Sequence, residues 1–533
     1  MPKRYFHRYN KDLQLESYDH IIIGSGMAGL TLAASLAHFG ETSLILEKHH
    51  KPGGFTHSFK RKLGYQWDVG VHYVGGLGKN RQLSNIFNFL SNDELEWESL
   101  GDVYDVIRVG NDSYDFVSGK KKHIAKLKEY FPEEEKAIDQ YFEIIFESIQ
   151  ANQNFFLEKV FPPFLSKAVG GRMKKKFLSY SRKTTYEVMK SITDNERLIT
   201  VLCAQCGDYG LPPRKSSFAI HAMIVNHFIF GAYYPKGGAD RIAHYISKKI
   251  EAQGCKVYVN AGVDEIVVKD DQVAGVKIGD RFVAAKSVIS TVGVNNTFKH
   301  LMSAELSEKC GYSLKNVKAS TGHLCLYLGL DQSDEELGLP KHNIWSYEHD
   351  NIDQVLDEIT TANAGQKFAY LSFPSAKDSE WQEKHPHKAT IQALSLGKFE
   401  WFEKFQDQTV MKREEAYDAM KKEFEESMLK KLIELYPQIE GHIVVSEVST
   451  PLSTQTYCNY EHGEIYGIDH TPERFDLPIL RVQTKIKGLR LAGQDIVTAG
   501  VGGALMSGIL CAASILKFRT LRLFKEIARF QKA

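Results

Sequence analysis

"IIIGSGMAG", residues 21–29, is the stretch whose reading decides the fold. Three isoleucines run into Gly24, Gly26 and Gly29. This G-x-G-x-x-G pattern is informative only between a strand and a helix, with an acidic residue about 20 positions further on. The flanks supply all three conditions. Tyr18–Ile23 reads as a short buried strand, Ala28–Phe39 as a helix stopped by Gly40, and Ser43–Leu46 as a second strand that delivers Glu47. In a βαβ unit of this kind the glycines allow a tight turn, close approach of a pyrophosphate and close helix–strand packing. The helix N-terminus supplies N–H groups and partial positive charge. Glu47 is placed to accept hydrogen bonds from ribose hydroxyls, and its carboxylate would repel a 2′-phosphate, so NADP is not the expected occupant.

The bulk properties narrow the class. At 533 residues the chain has room for two or three domains, and a net charge of +1 gives no global field that suggests a nucleic-acid partner. Seven scattered cysteines do not form a disulfide framework and suggest a reducing compartment. Cys203 and Cys206 (CAQC) have redox or zinc spacing, but no second pair accompanies them and they read as buried thiols. No metal site is supported. Met1–Ser17 is polar and charged, which is not the pattern of a secretory signal, and a cytoplasmic location is expected. Ile496–Leu516 carries no charge, yet its glycine cluster reads as a loop feeding a buried helix rather than a membrane span.

Other segments extend the nucleotide site. Gly53-Gly54 brings backbone against a second part of the same phosphate-bearing ligand. Residues 254–292 read as several short strands with turns at Asp270-Asp271 and Gly279-Asp280, after an amphipathic helix over Ala239–Ala252. Near the C-terminus, "KGLRLAGQDIVTAGVGGALMSG" gives a strand, then Asp495, then a glycine-rich entry into a helix.

Together these segments resemble FAD-dependent oxidoreductases of the phytoene desaturase, carotenoid isomerase and retinol saturase group. The resemblance spans nearly the whole chain. It is closest to the retinol-saturase-like branch in "WDVGVHYVGG" (67–76), "GDYGLPP" (207–213), "SFAIHAMIVNHF" (217–228), "YYPKGGADRIA" (233–243) and "GEIYGIDHTPERF" (463–475). It implies a doubly wound, Rossmann-like FAD-binding domain of α/β type, assembled from 1–100, 235–296 and 481–533. An α+β substrate-binding domain, 101–234 and 297–480, is interleaved with it. By position it implies Gly24, Gly26 and Gly29 at the pyrophosphate and Glu47 at the adenosine ribose. Gly54 and Thr56 would lie near the phosphates, Val263 near adenine, Asp495 at the ribitol or pyrophosphate, and Gly502, Gly503 and Ala504 beside the isoalloxazine. Animal retinol saturases carry an N-terminal membrane-targeting segment, a pattern Met1–Ser17 does not show.

The implied activity is oxidoreduction at conjugated C=C bonds of a lipophilic isoprenoid, as saturase, desaturase or isomerase. His72 and Tyr73 are the candidates at the flavin's edge. His72 either protonates a carbanion-like centre or anchors the flavin loop as a core histidine. Asp208, Tyr209, His221 and His227 read as hydrogen-bonders around the substrate, and Tyr233, Tyr234 and Tyr466 as pocket walls. No second G-x-G-x-x-G follows a predicted strand, so no separate nicotinamide domain is expected, and the electron donor or acceptor stays open.

Two other readings keep the fold. One is a non-redox prenyl-binding protein like the GDP-dissociation inhibitors of Rab proteins. The other is an FAD-dependent amine oxidase, although its aromatic cage is not evident in "AGQDIVTAGVGG". Glu133–Gln150 and Arg413–Tyr436 read as amphipathic helices. Peripheral membrane contact is expected from a basic terminal helix with Leu516, Leu523, Phe524, Ile527 and Phe530 on one face. The aromatic–lysine patch at 155–177 is a candidate mouth for a lipid.

Overall fold

The computed structural model describes residues 3–13, 18–161, 163–313, 315 and 317–531, with 163–165 described by backbone alone. The strand and helix expected around the glycines are present as His20–Ile23 and Met27–Ala37, and the next strand is Ser43–Leu46. These belong to a six-stranded parallel sheet. Its order is His7–Arg8, Lys256–Val259, Ser43–Leu46, His20–Ile23, Val288–Ser290, Leu489–Leu491. Its strands come from the beginning, middle and end of the chain. The central strands are buried on both faces, which is why they read as unbroken apolar runs rather than as alternation.

The glycine-loop helix is buried throughout and packs on Asp240–Ala252 and on Gly500–Leu516. Small residues make that possible. A Cβ on Gly508 would sit 2.7 Å from the Ala28 carbonyl oxygen, so the two helices meet backbone to backbone only because glycine is there. Gly500–Leu516 with the segment that follows is long and apolar enough to cross a membrane, but Leu505, Ile509, Cys511, Ala512 and Leu516 lie in the core around this sheet. A three-stranded antiparallel sheet, Glu265–Lys269, Gln272–Ile278 and Arg281–Ala284, sits alongside. Its first turn places Asp270 and Asp271 at positive φ, as the sequence anticipates.

The other half is built on a seven-stranded sheet. Its order is Ile443–Ser449, Gly322–Leu330, Ala389–Gly397, Phe368–Ser372, Asn343–Tyr347, Val103–Val109, Asp112–Val117. All pairs are antiparallel except Asn343–Tyr347 with Val103–Val109. Its core takes in side chains from the helices Glu135–Glu158, Phe218–Phe228 and Glu415–Leu435. Residues of 297–317 (Phe298, Met302, Cys310 and Val317) pack instead into the core of the parallel sheet. A hairpin, Ser58–Lys60 with Gln66–Asp68, joins the halves. Tyr65 donates to the Leu330 carbonyl at 2.7 Å, Trp67 Nε1 to that of Leu328 at 3.1 Å, and Gln392 to that of Asp68 at 2.8 Å.

Three expectations need correction. The helix expected over Glu133–Gln150 continues to Glu158, because Phe155 stacks on Phe177 at 4.0 Å and so gains burial from staying helical. That burial takes Phe155 and Phe177 out of the candidate mouth at 155–177, whereas Phe156 and Phe161 stay half-buried and the side chains of 163–165 lie outside the described residues. Phe155 and Phe177 are fully buried, and Lys159 is turned inward to donate to the Ile496 carbonyl at 2.9 Å (Pro162 lies outside the described residues). The terminal helix is not continuous either. It breaks at Lys517, where φ is 52°, and resumes as Thr520–Arg529. Arg519 pairs with Glu41 at the break, and beyond it Leu523 and Ile527 enter the core of the parallel sheet. Leu516, Leu523 and Ile527 therefore do not face outward. The exposed apolar residues here are Phe518 (89%), Leu521 (75%) and Phe524 (38%).

Candidate active site

A cavity of about 550 Å³ runs between the two sheets and is lined from both. One part is the glycine loop. Gly24, Gly26, Glu47, Gly53, Gly54, Thr56 and Val263 line it, as the sequence predicts. Glu47 braces the loop: its Oε2 accepts from Ser25 N at 2.8 Å and from Ser25 Oγ at 2.6 Å, and its Oε1 accepts from His49 N at 2.8 Å. A carboxylate has about four acceptor positions, so one remains open on Oε1. Thr56 Oγ1 donates to the Gly53 carbonyl at 2.8 Å and fixes the second glycine turn.

The arrangement fits a phosphate-bearing cofactor. No atom lies within 4 Å of where a Cβ on Gly26 would stand, and Gly26 caps the helix with no side-chain hydrogen bond, leaving first-turn N–H groups toward the cavity. A second helix begins at the same cavity. Gly500 is equally open, Ala499 gives no side-chain cap, and Gly500, Val501 and Ala504 line the wall.

Other predicted residues stand behind the wall. Gly29 is a packing residue: a Cβ there would be 2.2 Å from the Gly24 carbonyl oxygen. Gly502 and Gly503 do not line the cavity. On a helix whose 500–501–504 face is turned to it, Gly502 is aimed at His227, and a Cβ on Gly503 would meet the Thr498 carbonyl at 2.2 Å. Asp495 differs most from expectation. Its Oδ2 accepts from Val294 N at 2.7 Å and its Oδ1 from Ile468 N at 2.8 Å, so it ties together two loops whose neighbours, Val292 and Tyr466, form the wall.

The remaining part of the cavity is aromatic and apolar. His72, Asp208, His323, Trp345, Tyr370 and Tyr466 meet there beside Phe368, Leu394 and Leu396. His72 packs edge-on against Tyr370 at 5.3 Å, and its Nδ1 has no protein partner. Burial, with the charge of Lys377, pushes its pKa down to about 3, so the imidazole is neutral at physiological pH and is not the poised acid that an unperturbed histidine would be. Tyr73 is turned away from the cavity. Its ring stacks on Phe228 at 4.2 Å, and its hydroxyl lies 3.1 Å from Asp105 Oδ2 and 3.0 Å from Asp208 Oδ2.

Behind it, Asn343 Nδ2 donates to Asp105 Oδ1 at 3.0 Å and Gln205 Nε2 to Asp105 Oδ2 at 2.8 Å. Lys377 donates to the His72 carbonyl at 2.9 Å, to Ser372 Oγ at 2.7 Å and to Asn343. Burial pushes Asp105 up to about 7 and Lys377 down to about 7. The sequence reading missed Asp105, Lys377 and Asn343. One signal was available: in "VYDVIRV" Asp105 shares the stripe of Ile107 and Val109, a carboxyl on the buried side of a strand.

Of the weaker candidates, Tyr466 lines the cavity and donates to the Gly207 carbonyl at 2.8 Å. His221 is buried against Tyr141 and Tyr209 (2.8 and 3.4 Å), His227 accepts from Gly75 N at 2.9 Å, and Tyr234 bonds Asp68. Cys203 and Cys206 are buried thiols with raised pKa, that of Cys206 to about 12, and neither lines the cavity.

A discontinuous parallel sheet that presents glycine turns and two helix N-termini to one chamber, with an apolar pocket opposite, defines a dinucleotide-fold oxidoreductase. Comparison with known proteins makes the class specific. The pattern of the flavin containing amine oxidoreductase family matches residues 27–516, and the chain belongs to that family, in its retinol-saturase-like branch. An all-trans-retinol 13,14-reductase of Danio rerio is 35% identical over 524 residues, covering 94% of this chain and 86% of that protein. A chloroplastic prolycopene isomerase of an Oncidium hybrid cultivar is 26% identical over 94% of this chain and 84% of its own. The structure of wild-type putrescine oxidase bound to putrescine superposes with a TM-score of 0.62 at 14% identity, over 94% of this chain and 99% of that one, a likeness of fold. The protein is a flavin-dependent oxidoreductase.

Proposed function

We propose that this protein binds FAD and reduces a conjugated C=C bond of a lipophilic isoprenoid of the retinoid or carotenoid class. The observation that carries this reading is the single chamber in which the glycine cradle is continuous with the aromatic and leucine-lined pocket. The similarity to all-trans-retinol 13,14-reductase supports the substrate class and the reductive direction. Residues 1–100, 235–317 and 481–533 are proposed as the cofactor half and the rest as the substrate half.

Gly24, Gly26, Gly53 and Gly54 would hold the pyrophosphate, the open Oε1 position of Glu47 the ribose, and Val263 the adenine edge. When bound, the flavin supplies two-electron hydride chemistry. The chain's own residues do the rest. Trp345, Phe368, Leu394 and Leu396 hold a polyene and exclude water, and neutral His72 offers its ring without placing a charge beside an apolar ligand. The testing experiment is anaerobic: photoreduced holoprotein is mixed with retinoids, carotenoids and amines. Flavin reoxidation together with loss of polyene absorbance supports the reading. Reoxidation by no polyene, or reduction of the oxidised flavin by amines alone, overturns it.

We further propose that the kinked C-terminus touches anionic lipid. Phe518 and Leu521 stand out from the surface beside Lys517, Arg522 and Lys525, and each basic residue near such a surface contributes about 1 kcal/mol.

A further inference from the structure

Two buried carboxyls, those of Asp105 and Asp208, share one phenol. The Tyr73 hydroxyl is within hydrogen-bonding distance of both, at 3.1 and 3.0 Å, and it has one hydrogen. It can donate to only one of them. The other contact is a hydrogen bond only where that carboxyl carries a proton and donates to the phenol oxygen. Asp105 already accepts from Asn343 on one oxygen and from Gln205 on the other, an environment of donors that suits the acceptor, and the Tyr73 hydrogen adds a third. Asp208 is then the protonated member, with its O–H directed at Tyr73.

The surroundings agree. Asp208 is held well above the usual carboxyl range by burial, with the charge of Asp105 adding to it. The other titratable groups around it, Tyr104, Tyr347, Tyr370, Tyr466 and Cys206, are phenols and a thiol that burial keeps neutral, and Lys377 acts through Asn343 on the Asp105 side. Of the three members, Asp208 alone lines the cavity.

From this geometry we propose that Asp208 is the acid that protonates the substrate carbon, with Tyr73 and Asp105 as positioning residues that hold its proton in place. The proposal rests on the reductive reading above. Saturation of one C=C bond breaks its π bond and forms two C–H bonds. Bound between the glycine turns, reduced flavin would supply the two electrons, as the hydride for one of these C–H bonds. The Asp208 O–H swings from the Tyr73 oxygen to the substrate carbon in the cavity and breaks to give the proton for the other, leaving Asp208 as a carboxylate. Water reprotonates the carboxylate when the product leaves and the cavity refills.

The test uses the full-length FAD-loaded protein. Infrared spectroscopy needs no substrate. Asp68, Asp105 and Glu464 are also raised to about 7, so the readout is the wild-type minus Asp208→Asn difference spectrum. At neutral pH it should show the C=O stretch of a protonated, hydrogen-bonded carboxyl that Asp105→Asn retains and Tyr73→Phe shifts. In single turnovers of photoreduced protein with all-trans-retinol, Asp208→Asn should slow polyene loss about 10²–10⁴-fold. It should keep the flavin spectrum, and Asp208→Glu should recover part of the rate. Tyr73→Phe should slow the step and raise its solvent deuterium isotope effect. A wild-type minus Asp208→Asn difference spectrum with no protonated-carboxyl band, or wild-type turnover by that variant, overturns the acid. Should Asp208→Asn fail to fold, an unshifted band and unchanged rate in Tyr73→Phe overturn it equally. Wild type that shows the band but turns over neither retinol nor a carotenoid overturns the reductive reading, and the acid step with it.

Discussion

Gly26→Ala separates the fold from the cofactor site, and Gly29→Ala is its control. Gly26 sits at φ −65° and ψ 179°, backbone that any residue adopts, and nothing lies within 4 Å of the added methyl. The cofactor-free variant should therefore be as stable as the wild type or gain about 0.4–1 kcal/mol, because alanine narrows the unfolded ensemble. The methyl points into the space read as the pyrophosphate site. Overpacking there costs about 1–3 kcal/mol, or roughly 5–150-fold in FAD affinity. Gly29→Ala should do the opposite. Its Cβ would stand 2.2 Å from the Gly24 carbonyl oxygen, where backbone must move on both sides, and a similar steric cost outweighs the roughly 1 kcal/mol gained in helix propensity. Denaturant unfolding of the cofactor-free proteins and titration of FAD by flavin fluorescence quenching read the two effects separately. FAD bound as tightly by Gly26→Ala as by the wild type would refute the pyrophosphate assignment, whatever its stability.

Three further outcomes are expected. Glu47→Ala loses charge-assisted hydrogen bonds to Ser25 and His49 as well as the ribose contact, and FAD titration should show a loss of about 1.5–3 kcal/mol; unchanged affinity would remove Glu47 from the site. Asp105 is raised from 3.8 to about 7 in the fold, so the native state binds the extra proton across that window and stability should fall as pH rises through it. Lys377, lowered from 10.5 to about 7, should return stability as pH rises beyond 7. Asp68, Asp208 and Glu464 are raised too and add to the falling limb, so denaturant melts of Asp105→Asn should make it shallower, and an unchanged limb assigns it to those groups. Finally, Phe518→Ser with Leu521→Ser should leave the melting temperature unchanged and reduce co-sedimentation with anionic vesicles, whereas equal binding by both proteins would exclude this surface as the contact.

The glycine-loop unit was legible because its logic is local. Strand, turn, helix and acid lie within one stretch of about 30 residues, and each step is set by backbone conformation or burial that neighbouring residues dictate. Ser43–Leu46 and the hairpin at Asp270-Asp271 were legible for the same reason. The Asp495 expectation failed on a different kind of information. A carboxyl beside a glycine-rich helix entry is compatible with facing the ligand or with tying loops together, and only the position of Gly467, whose Cβ would lie 2.1 Å from Asp495 Oδ1, decides between them.

The terminal stripe was left open in the same way, since its apolar face could meet a membrane or pack on the protein itself. Periodicity identified an apolar face from Leu516 to Phe530, and a break at Lys517 and a core waiting for Leu523 and Ile527 gave that face to the protein and left Phe518 and Leu521 outside. What the sequence by itself determined was the presence of a dinucleotide-type cradle and the separated segments that build it. What only the tertiary structure decided was the chemistry opposite that cradle. Tyr73, Asp105, Asp208, Asn343 and Lys377 lie on five distant segments, and the seven-stranded sheet and the helices on it bring them within hydrogen-bonding reach. Out of water their charges cannot be screened, so which of them holds a proton depends on neighbours that no local spacing reveals.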